Sequence, residues 1–343
     1  GQRVLRALLP RPVSGAGPGT VDELLDGLHV VVLPLATRFR GVQEREVALV
    51  RGPLGWGEFA PFVEYGSAEA ARWLDAAIEA AWAGWPQPQR DEVPVNATVP
   101  AVAADEVAGV LARYDGCTTA KVKVAERGQA LADDLDRVAA VRDVMGPGAR
   151  IRVDANGGWS LAQAADALAG LAPFGLEYAE QPCADVRDLA RLRVELAHQG
   201  LDVPVAADES IRKAQDPLEV ARLRAADVVV VKVAPLGGVC SALRIVEDCG
   251  LPAVVSSAID SSIGLRAGVA LAAALPRLEH ACGLGTGALL TADVTSDPLV
   301  PVGGALAVRD VVVEPDRLAT HAAPPERVTW WRERVRAAWA ARA

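Results

Sequence analysis

Lysine is almost missing from this chain: of 35 basic residues in 343, 31 are arginines, and only Lys121, Lys123, Lys213 and Lys232 remain. Other absences narrow the function. The longest clean apolar stretch near the C-terminal end, residues 267–275, falls well short of the roughly 20 residues that span a bilayer, so no membrane partner is expected. Arg3 and Arg6 precede no apolar h-region, only a Gly/Pro stretch over residues 10–19 that reads as part of a flexible arm. Five cysteines, Cys117, Cys183, Cys240, Cys249 and Cys282, form no Cys-x-x-Cys pair. Their odd number argues for reduced thiols and a cytoplasmic protein. No His-Glu-x-x-His, Gly-x-Ser-x-Gly or phosphate-loop pattern occurs, which removes support for metalloprotease, serine hydrolase and nucleotide-triphosphate chemistry. Gly283-Leu-Gly285-Thr-Gly287-Ala288 loosely fits the spacing of a dinucleotide fingerprint, but no βαβ unit follows it and no suitably placed acid lies about 20 residues on. A net charge of −9 disfavours nucleic acid as a partner.

The surviving lysines carry information because arginine serves elsewhere. A guanidinium stays protonated in any protein, whereas a lysine near other cations or out of water can give up its proton near neutral pH. Lys121 and Lys123 lie in Thr119-Ala-Lys121-Val-Lys123-Val124, and Lys232 closes the run Val228-Val-Val-Val-Lys232. These three read as chemical. Lys213, in the polar stretch Arg212-Lys213-Ala-Gln, reads as solvated.

From Pro94 onward, short β-branched runs alternate with helix-like segments, the pattern of βαβ units and a parallel sheet. Eight strands are expected, over residues 95–99, 120–124, 151–154, 176–180, 205–208, 228–233, 253–256 and 280–283. Helices fall between them, one with Leu131, Leu135, Val138 and Met145 on a single face and one N-capped at Ser160. Eight such units close most economically into a barrel, whose chemistry sits at the C-terminal strand ends. Lys123, Asp154, Glu180, Asp208, Lys232 and Ser256 each end, or nearly end, an apolar run. The expected fold is therefore α/β: a (β/α) barrel over 93–299 with an α+β capping domain over 1–92, the first 20 residues or so forming the arm. In the cap, residues 29–35, 46–51 and 55–60 read as an antiparallel meander and 67–85 as a helix. Residues 300–343, with 306–313 strand-like and an amphipathic helix over 327–342, are expected to return to the cap.

Singly, Asp154 and Asp208 would serve as helix caps and Glu180 as an arginine partner. On adjacent strand ends, three carboxylates repel one another unless a cation compensates. An all-oxygen set open to substrate suits Mg²⁺, with Mn²⁺ able to substitute, better than Zn²⁺ or a closed Ca²⁺ cage. Lys121 and Lys123 share the barrel-interior face, roughly 7 Å apart at Cα. Each should lower the pKa of the other, leaving one basic near neutral pH. Carboxylates on a metal, opposed by lysines, are the parts needed to remove a proton next to a carboxylate and stabilise the resulting enediolate.

Lys121-Val-Lys123, Arg152-Val-Asp154-Ala-Asn156-Gly-Gly-Trp159, Glu180-Gln-Pro182, Ala207-Asp208-Glu209-Ser210 and Val231-Lys232 resemble, in order, the enolase superfamily and its muconate-lactonizing-enzyme-like subgroup with paired lysines. A branch using a late histidine base would have only His280. The resemblance implies a barrel of enolase-superfamily type, Lys123 as acid and base, Lys121 as charge support, Lys232 facing the enediolate through a cation–π contact, and Asp154, Glu180 and Asp208 as Mg²⁺ ligands. It further implies that Asn156 and Glu209 orient those ligands. Ser256-Ser-Ala-Ile-Asp260, Gly283-Leu-Gly285-Thr-Gly287 and Arg38-Phe-Arg40-Gly41 resemble the dehydratase branch. That branch removes water from 2-succinyl-6-hydroxy-2,4-cyclohexadiene-1-carboxylate in menaquinone biosynthesis. On this resemblance Ser256, Ser257 and Gly285 would receive the succinyl carboxylate, and the loop of Arg38 and Arg40, with Glu58 and Phe62, would either close the mouth and bring both arginines to the substrate or simply link two strands with its arginines solvated. A small dicarboxylate is the expected partner and a monomer the expected state. Racemization of N-succinylamino acids is the main alternative, with dipeptide epimerization and muconate cycloisomerization as others of the same subgroup, and a catalytically inactive barrel that binds small acids is the alternative of a different class.

Overall fold

The computed structural model describes residues 17–39, 41–213 and 216–342. Its first sheet is the expected meander: β1 (His29–Phe39), β2 (Val42–Gly52) and β3 (Gly55–Phe59), all antiparallel. Alternation along β1 and β2 sends Leu33, Val47 and Leu49 into a buried layer. The β1–β2 register slips between Pro34, which has no N–H to donate, and Phe39. Residues 17–20 are less arm-like than expected. Pro18 is buried, and Thr20 Oγ1 accepts from Glu23 N to cap the helix Val21–Asp26. Residues 1–16 lie outside the described residues.

The expected helix over 67–85 is shorter. Its α-helical part is Ser67–Ile78, after which Glu79–Ala83 makes a wider turn that ends at Gly84 with φ +73°. The wider turn carries the half-buried Glu79 carboxylate to the barrel, where it accepts from Val239 N and Cys240 N, the first turn of the helix Val239–Cys249.

After β4 (Glu92–Pro94), the barrel is built from parallel strands β5 (Ala97–Val99), β6 (Thr119–Lys123), β7 (Arg150–Asp154), β8 (Leu176–Glu180), β9 (Val205–Ala207), β10 (Val228–Val231) and β11 (Ala253–Val255), paired in sequence order. Helices follow most strands. Leu131–Met145 buries Val138 and Val141, and Leu161–Leu171 begins at Ser160, whose hydroxyl and backbone N–H pair reciprocally with Gln163. Residues 280–283 do not form a full eighth strand. Only Cys282 and Gly283 pair, with Val95 and Ser256 respectively, because the chain turns at once into a tight helical turn at Gly285–Leu289. Those two bridges still join β11 back to the β5 segment. Gly283 must be small there: a Cβ would meet Ser256 Oγ at 2.5 Å. Arg152, wholly buried, donates to Asn96 Oδ1 (3.2 Å) and Ala281 O (2.7 Å) and lies over the Tyr178 ring at 4.7 Å, filling the barrel beneath the strand ends.

The strand expected over 306–313 is confined to β12 (Ala305–Ala307), antiparallel to β4. Beyond it Val308 N reaches Asp91 O, Val311 is buried and Val312 is exposed, so this extended segment packs without a partner strand. The helix Pro325–Ala340 returns to the cap as expected and buries Trp331, Val335 and Ala338 with Phe59, Trp73 and Leu74. Trp331 Nε1 donates to Glu46 at 2.7 Å, which satisfies the indole where it is buried.

The cap also touches the barrel through Glu58, at the end of β3. Its Oε2 accepts from Ser261 N (3.1 Å), Ser261 Oγ (2.5 Å) and Gly264 N (3.0 Å). Burial, and then the nearby Asp260 carboxylate, push the Glu58 pKa up to about 8 from 4.5. Between those values the folded protein holds a proton that the unfolded chain releases, so stability falls as pH rises through this window. We expect Glu58→Gln, which carries no such proton, to flatten that fall. Thermal unfolding of both proteins across the window checks this, and parallel Tm profiles would refute it.

Candidate active site

Except for Lys121, which lies two residues inside β6, each chemical residue stands where a barrel strand stops. A strand interior needs apolar side chains on its packed face, and the strand's C-terminal end is where a polar group can turn into the open mouth. Lys123 ends β6, Asp154 ends β7 and Glu180 ends β8, while Asp208, Lys232 and Ser256 follow β9, β10 and β11 by one residue. The turns leaving β6, β7 and β8 pass through left-handed backbone at Ala125 (φ +58°), Asn156 (φ +47°) and Gln181 (φ +39°), and Ile259 after β11 has φ +60°. A β-branched residue rarely adopts that conformation, and such strain gathers at functional sites.

The strand ends surround a cavity lined by Lys121, Lys123, Asp154, Asn156, Lys232, Ser256 and Ser257 and roofed by the cap residues Phe39 and Phe62. Lys123 Nζ lies 2.5 Å from Asp154 Oδ2 and 2.7 Å from Asn156 Oδ1. Lys121 Nζ lies 3.1 Å from Glu180 Oε1 and 3.4 Å from Asp154 Oδ2. Lys232 Nζ donates to Asp208 Oδ2 at 2.6 Å, and Arg212 Nε to Asp208 Oδ1 at 3.0 Å. Asn156 Nδ2 reaches Glu209 Oε1 at 3.2 Å, so the two residues expected to act together do touch.

These pairings reverse one expectation. Burial alone would lower the Lys121 pKa, but the Glu180 and Asp154 carboxylates outweigh it and hold the ammonium above its ordinary value. Those two carboxylates favour the charged form of Lys121. Lys232 is lowered, by burial first and then by Arg212 and Lys121, against the pull of Asp208. Asp154 and Asp208 lie below the usual carboxylate range: burial opposes this, but Lys123 and Lys121 prevail at Asp154, and Lys232 and Arg212 at Asp208. Glu180 goes the other way, to about 7, through burial and the Asp154 charge.

Among the described residues no three ligating side chains already close around a common point. Each carboxylate is instead turned toward a cation. The donor set nevertheless fits a hard metal ion: Asp154, Glu180 and Asp208 are buried oxygen donors on or just after adjacent strands. Asp154, Glu180, Asp208 and Glu209 balance Lys121, Lys123, Lys232 and Arg212. A divalent cation arriving with a dicarboxylate would leave that balance unchanged.

Two residues expected to contact substrate, Arg38 and Gly285, lie away from the cavity. Arg38 is exposed and bonded to Gly41 O at 3.3 Å, because side chains alternate along β1 and Phe39 takes the inward position. Arg40 lies outside the described residues. Gly285 packs into the interior, where a Cβ would meet Asn96 O at 2.7 Å, and its neighbour Thr286 lines the cavity, 2.6 Å from Ser257 Oγ. Ser256 and Ser257 are in place. Lys213 is exposed as expected, with its ammonium over the Tyr65 ring.

Among the site residues that escaped the sequence reading, Arg212 and Gln181 hold the wall around Asp208. Arg212 is buried in the wall and joins Asp208 and Glu209 (2.7 Å) to the hydroxyl of the cap residue Tyr65 (3.2 Å). Gln181 Oε1 accepts from Asp208 N (2.9 Å) and Ser210 N (3.1 Å), fixing the turn that presents Asp208. Only Gln181 left a signal, its place directly after Glu180.

Comparison with known proteins agrees with this architecture. The Enolase N-terminal domain-like family matches residues 30–81, and the Enolase C-terminal domain-like family matches residues 103–315. The chain is 56% identical over 320 residues to an o-succinylbenzoate synthase of Mycobacterium tuberculosis, covering 93% of this chain and 95% of that one. It is 57% identical over 320 residues to an o-succinylbenzoate synthase of Mycolicibacterium smegmatis, covering 93% and 97%. A muconate lactonizing enzyme from Pseudomonas fluorescens complexed with muconolactone shares the fold, with a TM-score of 0.74, 23% identity, and 86% and 98% coverage. So does the L-Ala-D/L-Glu epimerase from Bacillus subtilis, with a TM-score of 0.70, 23% identity, and 83% and 96% coverage.

Proposed function

The chain belongs to the o-succinylbenzoate synthase family of enolase-like proteins, and from that premise we propose how its strand-end residues carry out the family's dehydration. It is a hydro-lyase of menaquinone biosynthesis that converts 2-succinyl-6-hydroxy-2,4-cyclohexadiene-1-carboxylate to o-succinylbenzoate and water. Like other enolase-superfamily enzymes it uses a divalent metal.

The observation that carries the residue roles is the opposition of Lys123 on β6 and Lys232 after β10 across one cavity, with carboxylates from three intervening strands between them. Asp154, Glu180 and Asp208 would hold the metal, which we take to be Mg²⁺ with Mn²⁺ able to substitute. When bound, it supplies positive charge to the ring carboxylate as that group gains a second negative charge. Lys123, as the free amine, takes the proton from the carbon bearing the ring carboxylate, and the electron pair moves into that carboxylate to give an enediolate. The same ammonium returns the proton to the departing 6-hydroxyl. The C–O bond breaks, water leaves and the ring becomes aromatic. Lys121, held charged by its neighbours, supports the negative charge, and Lys232 faces the planar intermediate from the other side. Asn156 and Glu209 orient the ligands, and Ser256, Ser257 and Thr286 offer hydroxyls to the succinyl carboxylate. Phe39 and Phe62 exclude water from above.

The wider organisation we propose is a cap over 1–92, a catalytic barrel over 93–299 and a returning segment over 300–343. We take the protein to act as a monomer. A reducing, cytoplasmic setting accords with five unpaired thiols. No helix among the described residues is long and apolar enough to cross a membrane.

A pair of lysines on opposite faces is also what N-succinylamino acid racemization needs, so the test compares the two substrates. With Mg²⁺ present, kcat/KM for the cyclohexadiene carboxylate is expected to exceed that for an N-succinylamino acid by at least about 100-fold, or about 2.7 kcal/mol in transition-state binding. The reverse order would keep the site chemistry and replace the substrate.

A further inference from the structure

The helix Leu131–Met145 carries a charged pair withdrawn from water. Asp134 and Arg137 are 2% and 1% exposed, with Arg137 Nη1 2.9 Å from Asp134 Oδ1. A buried ion pair contributes little net stability, since desolvation offsets the attraction. Its role lies in what else the pair holds.

Arg137 donates through Nε to Val102 O at 2.6 Å, through Nη1 to Lys123 O at 2.8 Å, and through Nη2 to Gln129 Oε1 at 2.5 Å. Asp134 Oδ2 accepts from Ala125 N at 3.0 Å. One ion pair therefore grips the backbone on both sides of Val124: the carbonyl of Lys123 and the amide of Ala125, where the chain leaves β6 through a left-handed residue. Neither charged group lines the cavity. Arg142, on the same helix, makes a similar set of bonds to Gly146 O (2.9 Å), Ala149 O (2.7 Å) and Phe174 O (2.7 Å), but these lie at the opposite end of the barrel, where β7 begins.

We infer that Asp134 and Arg137 are positioning residues for proton transfer: by fixing Lys123 O and Ala125 N, they set the direction in which the Lys123 side chain leaves the strand end. The inference rests on the reading that Lys123 moves the proton. Catalytic groups tolerate displacements of only about 0.5 Å, and a misplacement of about 1 Å can cost on the order of 100-fold in rate.

The test uses the full chain with Mg²⁺ and four variants: Asp134→Asn/Arg137→Gln, which removes both charges together, Arg137→Lys, Arg142→Gln and Lys123→Arg. Steady-state dehydration is measured with substrate carrying hydrogen or deuterium at the abstracted position, alongside Mg²⁺ affinity and Tm. For the double variant we expect kcat to fall about 10- to 100-fold, KM and metal affinity to stay within about threefold, and the primary isotope effect on kcat to rise as proton transfer becomes slower. Arg142→Gln should lose comparable Tm and keep kcat within about twofold. If the double variant does not fold, Arg137→Lys decides the matter. It retains the charge but cannot reach all of the acceptors, and the same loss of kcat with a raised isotope effect is expected.

A folded pair variant with kcat within about threefold of wild type would overturn the inference, as would a kcat loss with an unchanged isotope effect. Failure of the underlying reading looks different. In that case Lys123→Arg retains turnover, whatever the pair variants do.

Discussion

Lys123→Arg is expected to leave a folded protein that binds metal and no longer turns over. Arginine keeps the positive charge beside Asp154, where Lys123 now sits at 2.5 Å, and its length allows it to retain that pairing. What it lacks is a neutral form at any pH a protein survives, so it cannot take the proton from the ring carbon. General base catalysis contributes about 10²- to 10⁴-fold, and we expect kcat to fall by at least about 10³-fold, roughly 4 kcal/mol in the barrier. Steady-state turnover checks this, with Tm and Mg²⁺ affinity as controls for folding and for the ligand set. Turnover within about tenfold of wild type, about 1.4 kcal/mol, would remove Lys123 from the role.

Asp208→Asn is expected to weaken metal binding more than any change outside the proposed ligand set. The amide keeps the shape but loses the charge. Residues that merely orient ligands typically cost 10- to 100-fold in metal affinity, and a ligand should cost at least about 100-fold. The substitution also leaves Lys232 without the carboxylate that sustains its charge, so its pKa should fall further. Calorimetric titration with Mg²⁺ gives the affinity directly. An unchanged affinity would count against Asp208 as a ligand.

The parts of this site visible from sequence were those in which a polar residue interrupts a pattern. Lys123, Asp154 and Glu180 each end a run that packing requires to be apolar, and the scarcity of lysine made Lys121, Lys123 and Lys232 conspicuous. The same logic explains what stayed hidden. Arg212 is one of 31 arginines and sits in a four-residue helix too short to show periodicity, so nothing distinguished it from a solvated charge. Arg137 occupies an ordinary helical position, and only folding reveals that it points at the end of β6. Ile259 is hidden for the opposite reason, since its residue type argues against the left-handed backbone that it adopts.

The fold was legible to a similar depth. Parallel strands and their order followed from β-branched runs separated by helical spacing, and the cap meander from alternation. The eighth barrel segment shrank to two bridges because the chain must turn at Gly285, and the ladder after Ala307 stops at one bond, Val308 N to Asp91 O, because its partner β4 begins at Glu92. Pairing partners depend on long-range geometry, which a local pattern does not encode.

The most direct test is the appearance of o-succinylbenzoate from the cyclohexadiene carboxylate, followed with the wild-type chain before and after chelation and again after Mg²⁺ is restored. Dehydration that is lost on chelation and recovered with Mg²⁺ is the predicted result. Dehydration at full rate in the chelated protein, or none with Mg²⁺ present, would contradict the assignment of this site.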